Sequence, residues 1–254
     1  MKNIRAIFFI CVIFVLPGVD AWGAEKYVEV EAGLGYETLT DNYDPWSEAY
    51  INIKKNFDKR KSVSINVRKT ERFGLEDNEL SVGIVTSWWA PITLSLMAGE
   101  SQGHEVLPEN FLSFRIDAPF GDGWVGGMGY TYREYESAGV DIGTVALERY
   151  IANFRLSYAL FMSRVDEADL EYSNSIRMDR YYGDKNMVGI GCAWGRESEN
   201  IASEIIVTSS VSSAILTGRH WFDMKRGMSY TLSYQRQGDF YDRFGIHAAL
   251  IYRF

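Results

Sequence analysis

The chain has 254 residues, of which 15% are aromatic, and its formal net charge at pH 7 is −8. This length suits one domain, and an acidic chain without a basic stripe is not expected to bind nucleic acid. Of its two cysteines only Cys192 lies outside the leader predicted below, which excludes a scaffold held together by intramolecular disulfides.

The first 23 residues have the pattern of a secretory signal peptide. Lys2 and Arg5 precede an apolar run over Ala6–Leu16, which is too short to cross a bilayer as a helix. Small residues at the two positions that a signal peptidase reads predict cleavage after Gly23, which leaves residues 24–254 as one domain. A retained anchor helix is the alternative, and the short apolar run disfavours it.

From Lys26 onward, apolar and polar residues alternate almost throughout the chain. Period-two alternation predicts β-strands with one apolar face. No later window approaches the apolar length of a transmembrane helix. The clearest segments are Val28–Glu37, Val63–Arg68, Leu80–Trp88, Leu112–Ala118, Phe154–Ser163 and Tyr230–Gln235.

Turn signals divide these strands into hairpins. Tight turns are predicted at Asn56–Arg60, Ala90–Pro91, Gly121–Gly123, Ala152–Asn153, Gly183–Asn186 and Asp223–Gly227. Longer polar stretches lie between them, at Thr40–Pro45, Phe73–Asn78, Ser101–Asn110, Glu136–Gly143, Arg164–Leu170, Glu197–Ser212 and Gln237–Asp242. Short turns that alternate with longer loops are typical of the periplasmic and extracellular ends of an outer-membrane barrel.

The predicted fold is therefore all-β, a transmembrane up-and-down antiparallel β-barrel. The six tight turns flank twelve strands, and the first and last strands bring the number to about fourteen. This number is even, as it is in bacterial barrels. About twelve strands is the alternative, because the strand within Ser203–Phe222 could begin early or late.

The polar faces of the strands carry glycines and charges of both signs. Inward glycines either leave interior volume or relieve strand curvature. Mixed charges inside a barrel more often neutralise one another than line a selective filter, so we predict an internal charge network. The glycines with inward parity are Gly33, Gly35, Gly83, Gly99, Gly127, Gly129, Gly189, Gly191, Gly195 and Gly245. The candidate lumen-lining residues are Arg68, Arg115, Asp117, Arg133, Arg155 and His247, and further inward charges are Glu29, Glu31, Glu37, Arg177, Asp179 and Arg253.

The end of the chain is the most specific signal of location. Apolar residues occupy every second position from Phe244 to Tyr252, and the last residue is Phe254. Such a strand with a terminal Phe resembles the insertion signal of bacterial outer-membrane barrels. We therefore assign Leu250, Tyr252 and Phe254 as the assembly signal that the barrel assembly machinery reads. With the leader, this predicts the outer membrane of a Gram-negative bacterium, in contact with lipid and lipopolysaccharide.

Several segments also resemble the YaiO family of outer-membrane β-barrel proteins. These are Gly33–Thr40 followed by Trp46, the hairpin Leu147–Tyr158, the run Gly189–Glu199 and the terminal Tyr252–Phe254. The resemblance implies an outer-membrane barrel and no defined reaction. Some relatives occur beside polysaccharide-assembly proteins, which makes such proteins candidate partners.

A catalytic site is not evident in the sequence. A barrel lipase needs a serine and a histidine within hydrogen-bond reach, which on one strand face means two residues apart. None of His104, His220 and His247 has a serine at that spacing, although a cross-strand pair remains open. We expect no enzyme, no cofactor and no resident metal.

Two acidic loop segments are candidate sites. His104 and Glu105, with Glu100 and Glu109 nearby, could form a metal or acid/base cluster, but a solvated polar loop is the favoured interpretation. The acidic run over Asp166–Glu171 could bind the divalent cations that bridge lipopolysaccharide, or simply stay solvated.

Two classes of function are favoured by the sequence. The first is a porin-like passive channel or conduit, for small polar solutes or for glycan export. The second is a filled structural or surface-interaction barrel without transport. A barrel enzyme acting on envelope lipid or glycan is third, because one barrel architecture hosts all three functions and only a site can decide between them.

Overall fold

A computed structural model describes residues 26–58, 60–87, 89, 91–183, 185–202 and 205–254. The predicted leader, with its cleavage site after Gly23, lies outside the described residues. In those ranges no helix has the length and apolar character needed to cross a membrane. The described residues form fourteen strands, β1 to β14 in chain order, with the bounds Tyr27–Leu39, Trp46–Asp58, Lys61–Arg72, Leu75–Thr86, Thr93–Gln102, Asn110–Phe120, Trp124–Glu134, Gly139–Ile151, Phe154–Val165, Glu171–Tyr182, Asn186–Ala202, Ile205–Trp221, Arg226–Gln237 and Tyr241–Arg253.

The strands close into one barrel. Each strand pairs antiparallel with its neighbours in sequence, and β1 pairs with β14. The register of that seam runs from Glu29 opposite Arg253 to Leu39 opposite Arg243. Closure leaves no sheet edge, so the backbone N–H and C=O groups of the strands find partners within the sheet. The predicted fourteen-stranded up-and-down barrel is confirmed, and the twelve-stranded alternative is wrong.

The six predicted tight turns coincide with connections between consecutive strands at the end of the barrel where Lys26 and Phe254 lie. We call this the turn end and the opposite end the loop end. Within three of these turns, Lys59, Ala90 and Asp184 lie outside the described residues. At the turn between β12 and β13, Asp223 accepts the backbone N–H groups of Lys225 and Arg226 at 2.8 and 2.7 Å. These two hydrogen bonds lower the pKa of the exposed Asp223 carboxyl to about 2.

Three of the predicted long loops at the loop end lie mostly in strands, and of these the one over Glu136–Gly143 is shortened because β8 begins at Gly139. The stretch expected over Phe73–Asn78 is a connection of two residues, because β4 already begins at Leu75. The stretch expected over Glu197–Ser212 lies mostly in β11 and β12, which are 17 residues each. A strand pair surrounded by water can carry polar residues on both faces, so polarity alone does not separate it from a loop.

Along the middle of the barrel, the outward face of the strands is largely apolar. Six apolar residues of that face are between 38% and 71% exposed: Leu34, Ile65, Leu96, Leu156, Leu232 and Leu250. Exposed aromatic side chains occur near both ends of the strands, among them Phe120, Trp124, Phe154 and Tyr252 toward the turn end and Tyr36, Tyr172, Trp194 and Phe244 toward the loop end. An apolar band between aromatic girdles is the outer surface of a transmembrane barrel.

Candidate functional site: the barrel lumen

The candidate lumen-lining residues all share the inner face, as their parity predicts. Arg68, Arg133 and His247 line one continuous cavity, although they lie on β3, β7 and β14. Arg115 and Asp117 pair with each other on β6, while Arg115 and Arg155, the latter on β9, also form ion pairs that cross to other strands. Their partners in these contacts lie on the same strand or at most two strands away around the barrel.

The deepest part of the charge network is centred on Asp179, which is fully buried. Its carboxylate accepts from Arg155 Nε and Nη2 at 2.9 and 2.7 Å and from Arg177 Nε at 2.7 Å. Arg177 also donates to Thr217 Oγ1 at 2.8 Å, which ties β10 to β12 across β11. A buried carboxylate with two guanidinium partners has its charge compensated, as burial requires.

The same network continues around the wall through Glu148. Its carboxylate lies 3.8 Å from Arg155 Nη1 and 3.3 Å from Arg115 Nη2. Arg115 in turn lies 2.7 Å from Asp117 Oδ1. Glu148 was missed among the candidates, although its even position on β8 places it on the inner face opposite Ser157. Strand parity was the signal that could have found it.

A second group of charges lies along the seam between β14 and β1. Arg253 Nε is 2.8 Å from Glu29 Oε2, and Arg219 pairs with the other oxygen of the same carboxylate. His247 Nε2 lies 3.0 Å from Glu37 Oε1, and Arg243 Nε lies 3.4 Å from Glu37 Oε2. His247 and Arg243 thus share the Glu37 carboxylate, whereas Arg253 is six strand residues, roughly 20 Å, from His247 and belongs to the Glu29 pair.

Arg68 lies in a third group, toward the loop end. It pairs with Glu79 at 2.8 Å and with Glu48 at 3.4 Å. Tyr50, on the strand next to Arg68, donates to Glu31 at 2.9 Å. The predicted internal network of mixed charges is thus present, and most of its cations face a carboxylate within the lumen.

Side chains from neighbouring strands lie over several of the inward glycines. A Cβ atom at Gly35 would overlap the ring of His247, and one at Gly189 would overlap the carboxylate of Asp179. At these two positions glycine leaves no interior volume, because a ring or a carboxylate lies directly over it. Gly33 beneath Tyr50 and Gly99 beneath Phe111 show the same arrangement.

A polar cavity of about 910 Å³ remains in the lumen. Uncharged polar groups contribute much of its wall, and the paired Arg68 and Glu79 contribute another part. Neutral hydroxyl and amide groups suit water or a polar solute better than a single type of ion. The uncharged polar lining residues are Asn52, Ser64, Asn66, Ser81, Ser113, Thr131 and Thr231.

The loop over residues 103–109, which we call the inward loop, also lines this cavity. This loop is solvated only in part: Glu109 is exposed and His104 and Glu105 are half-buried, whereas Val106 and Leu107 are only 2% and 4% exposed. The proposed acid/base pair His104 and Glu105 lies in this loop, where the Glu105 N–H donates to Asp77 at 3.2 Å. In the described ranges, no three His, Cys, Asp or Glu side chains are grouped closely enough to hold a metal ion.

A cluster of aromatic and arginine side chains lies in the lumen at the loop end. The sequence patterns did not predict it. Trp46 and Tyr241 are each 3% exposed. The guanidinium carbons of Arg72 and Arg243 lie 4.5 and 4.3 Å from the Trp46 ring centroid, and the Phe73 ring lies 5.1 Å from it. Such cation–π contacts between strands far apart in sequence have no local sequence signal.

The remaining candidates lie away from the lumen. In the acidic run, Asp166 accepts the Gly139 N–H at 2.8 Å and Glu171 pairs with Arg196 at 2.9 Å. The histidine in β12, His220, has Tyr182 and Tyr230 among its described hydrogen-bond partners, and no serine.

The residues of the assembly signal complete the seam. The Phe254 N–H donates to the Val28 carbonyl at 2.9 Å. The Tyr252 and Phe254 rings contact each other edge to face at 4.6 Å, and Leu250 is 71% exposed. The side chains of Leu250, Tyr252 and Phe254 therefore lie on the outer surface, at and near the turn end.

Comparison with known proteins gives one family match. The family model described as the YaiO membrane beta barrel domain matches residues 28–200, which runs from β1 into β11. No curated protein sequence matches the chain.

Solved structures share the fold at low sequence identity. A bacterial polysaccharide outer membrane secretin is 8% identical, with a TM-score of 0.56, over 89% of this chain and 98% of that one. An outer membrane channel of Pseudomonas putida F1 is 10% identical, with a TM-score of 0.54, over 94% and 100% of the two chains. An outer membrane protein of Acinetobacter baumannii is 13% identical, with a TM-score of 0.53, over 91% and 100%.

Proposed function

The chain belongs to the YaiO family of membrane β-barrels and is an outer-membrane protein, and from this premise we propose that it is a passive conduit for small polar solutes. The observation that carries the proposal is the polar cavity of about 910 Å³ inside a closed barrel. A lumen wall of hydroxyls, amides and paired charges offers hydrogen bonds to a solute that replace those it leaves in water.

The proposed conduit discriminates weakly between cations and anions. Sharp ion selection requires a ring of one sign. Here Arg115 faces Asp117 and Glu148, and Arg68 faces Glu48 and Glu79, so cations and carboxylates neutralise one another around the wall. Export of a glycan is a second form of the same proposal, and the similar fold of a polysaccharide secretin supports it only by analogy.

A filled structural barrel is the competing function. It is favoured by the large side chains that lie over the inward glycines and by the aromatic cluster around Trp46. These features reduce the free cross-section of the lumen. A barrel of this kind would interact with envelope partners through its loop end and would pass no solute.

Single-channel recording in a planar bilayer tests the proposal. We expect stable conductance steps from the wild-type barrel and a reversal potential close to that of an unselective pore. Arg115→Glu and Arg155→Glu should each shift the reversal potential toward cations, because each removes a positive charge from the wall and leaves its carboxylate partners unpaired.

Lys69→Gln is the matched control for these charge changes. Lys69 pairs with Glu76, and both side chains are about half exposed on the outer surface of the barrel. Its removal should leave the reversal potential unchanged. Absence of conductance from wild type and both variants, when the protein is folded in the bilayer, would exclude the conduit and make the filled barrel the leading account.

We further propose that the last strand is recognised during assembly. Deletion of Phe254 should reduce the yield of heat-modifiable barrel in the outer membrane, because the assembly machinery reads the apolar face that Leu250, Tyr252 and Phe254 form. The measurement is the ratio of folded to unfolded protein on an unheated gel. Phe240→Ala, which changes an exposed aromatic in a loop, should leave the yield unchanged. An equal folded yield with and without Phe254 would contradict the assignment.

A further inference from the structure

The inward loop takes part in shaping the lumen. It connects β5 to β6 at the loop end, where a chain could simply extend into water. Instead Val106, Leu107 and Pro108 line the cavity from one side, while Thr231 and His247 line it from the strands on the other. The loop therefore lies across part of the path through the barrel.

One carboxylate holds this loop in place. Asp77, at the start of β4, is fully buried, and its Oδ2 accepts the N–H groups of Val106 and Leu107 at 2.8 and 2.7 Å. Its Oδ1 accepts the Glu105 N–H at 3.2 Å. Three backbone donors that converge on one carboxylate form an anion-binding concavity, here occupied by a side chain of the same protein.

The loop is shaped to make this contact. Gly103 has a φ of 102°, in the region that favours glycine, and a Cβ atom there would overlap Asp77 Oδ1. Ser101 supplies a second attachment, because its Oγ donates to the Pro108 carbonyl at 2.5 Å and its N–H donates to the Glu109 carbonyl at 3.0 Å. Ser101 thus joins the two ends of the loop, on either side of the three residues whose N–H groups bind Asp77.

We propose that Asp77 determines the size selectivity of the barrel, by holding the inward loop across the lumen. This inference rests on the proposed conduit function and names the residue that sets its aperture. Loss of the carboxylate removes the charged acceptor of three backbone N–H donors, of which those of Val106 and Leu107 are buried. The loop then regains those hydrogen bonds only by moving out into water.

Chemical labelling tests the position of the loop without requiring conduction. Val106→Cys is introduced into a Cys192→Ser background, the barrel is purified from outer membranes, and its reaction with a water-soluble maleimide is timed. Buried Val106 predicts slow labelling when Asp77 is present. Asp77→Asn should accelerate labelling at least about tenfold, because one hydrogen bond to a charged acceptor is worth about that factor in an equilibrium.

Two further variants separate loop release from general damage. Gly103→Ala should also accelerate labelling, since it displaces the loop from Asp77 while the carboxylate remains. Asp179→Asn removes the charge of an equally buried aspartate that does not contact the loop, and it should leave the labelling rate unchanged in the heat-modifiable, folded fraction. Unchanged labelling in folded Asp77→Asn and Gly103→Ala barrels would overturn the inference.

Conductance and exclusion of polyethylene glycols of graded size test the aperture. Asp77→Asn should raise single-channel conductance and admit larger polymers than wild type does. Unchanged conductance and exclusion in a conducting variant would overturn the role of Asp77 and leave the conduit proposal intact. A silent wild type with conducting Asp77→Asn would support Asp77 as the closing residue. Silence from both would overturn the aperture role together with the conduit.

Discussion

Replacement of Leu232 by Arg is expected to destabilise the folded barrel by about 2–4 kcal/mol, the usual cost of a cation on the lipid face near the bilayer midplane. Leu232 lies in the interior of β13, is 43% exposed and belongs to the outward apolar face. An arginine there must lose water or thin the bilayer locally. The free energy of unfolding is measured in lipid vesicles from a guanidinium titration, followed by the fraction of heat-modifiable protein.

The neighbouring residue supplies the matched control. Ser233 lies on the inner face, next to Gly245 and close to Glu37, so an arginine at this position can extend into the lumen toward a carboxylate. Ser233→Arg should therefore cost clearly less than Leu232→Arg. Equal costs at the two positions would mean that the assigned faces of β13 are reversed or that the register is shifted.

Gly33 is not a suitable control for this comparison, although its parity also points inward. The sequence pattern predicts that an arginine at Gly33 is tolerated. The structure shows the Tyr50 ring lying directly over this glycine, so any side chain would displace that ring from its hydrogen bond with Glu31. The tolerance of an inner position thus depends on what covers it as well as on its parity.

Removal of the Asp179 carboxylate is expected to have the second large effect. Asp179→Ala should lower the free energy of unfolding by about 3–5 kcal/mol, because it leaves buried cations without their partner. Arg155 and Arg177 both donate to Asp179 and are themselves only about a quarter exposed. The same unfolding titration measures this change.

A surface ion pair on the same barrel gives the reference value. Glu76→Ala breaks the pair with Lys69, in which both side chains are about half exposed, and should cost less than about 1 kcal/mol. A double variant, Asp179→Ala with Arg155→Ala, should cost less than the sum of the two single changes, because the first already removes their interaction. Strict additivity, or an equal cost at Asp179 and Glu76, would contradict a compensated buried network.

The sequence by itself determined the faces, the strand number and the location of the protein. Alternation with a period of two depends only on neighbouring residues, so it could assign Leu232 outward and Arg115 inward without knowledge of any other strand. The tight turns could be counted for the same reason. The predicted leader and the alternation in the last strand are also local patterns, and the predicted outer-membrane location agrees with the family match.

Only the tertiary structure decided which inward groups meet. Glu29 and Arg253 are 224 residues apart in sequence and form an ion pair because the barrel closes at β1 and β14. Parity places a residue on a face but does not give its height along the barrel axis, which depends on the register of all strands between. For the same reason the sequence could not show that Tyr50 covers Gly33, or that Asp77 collects three N–H groups from a loop some thirty residues away.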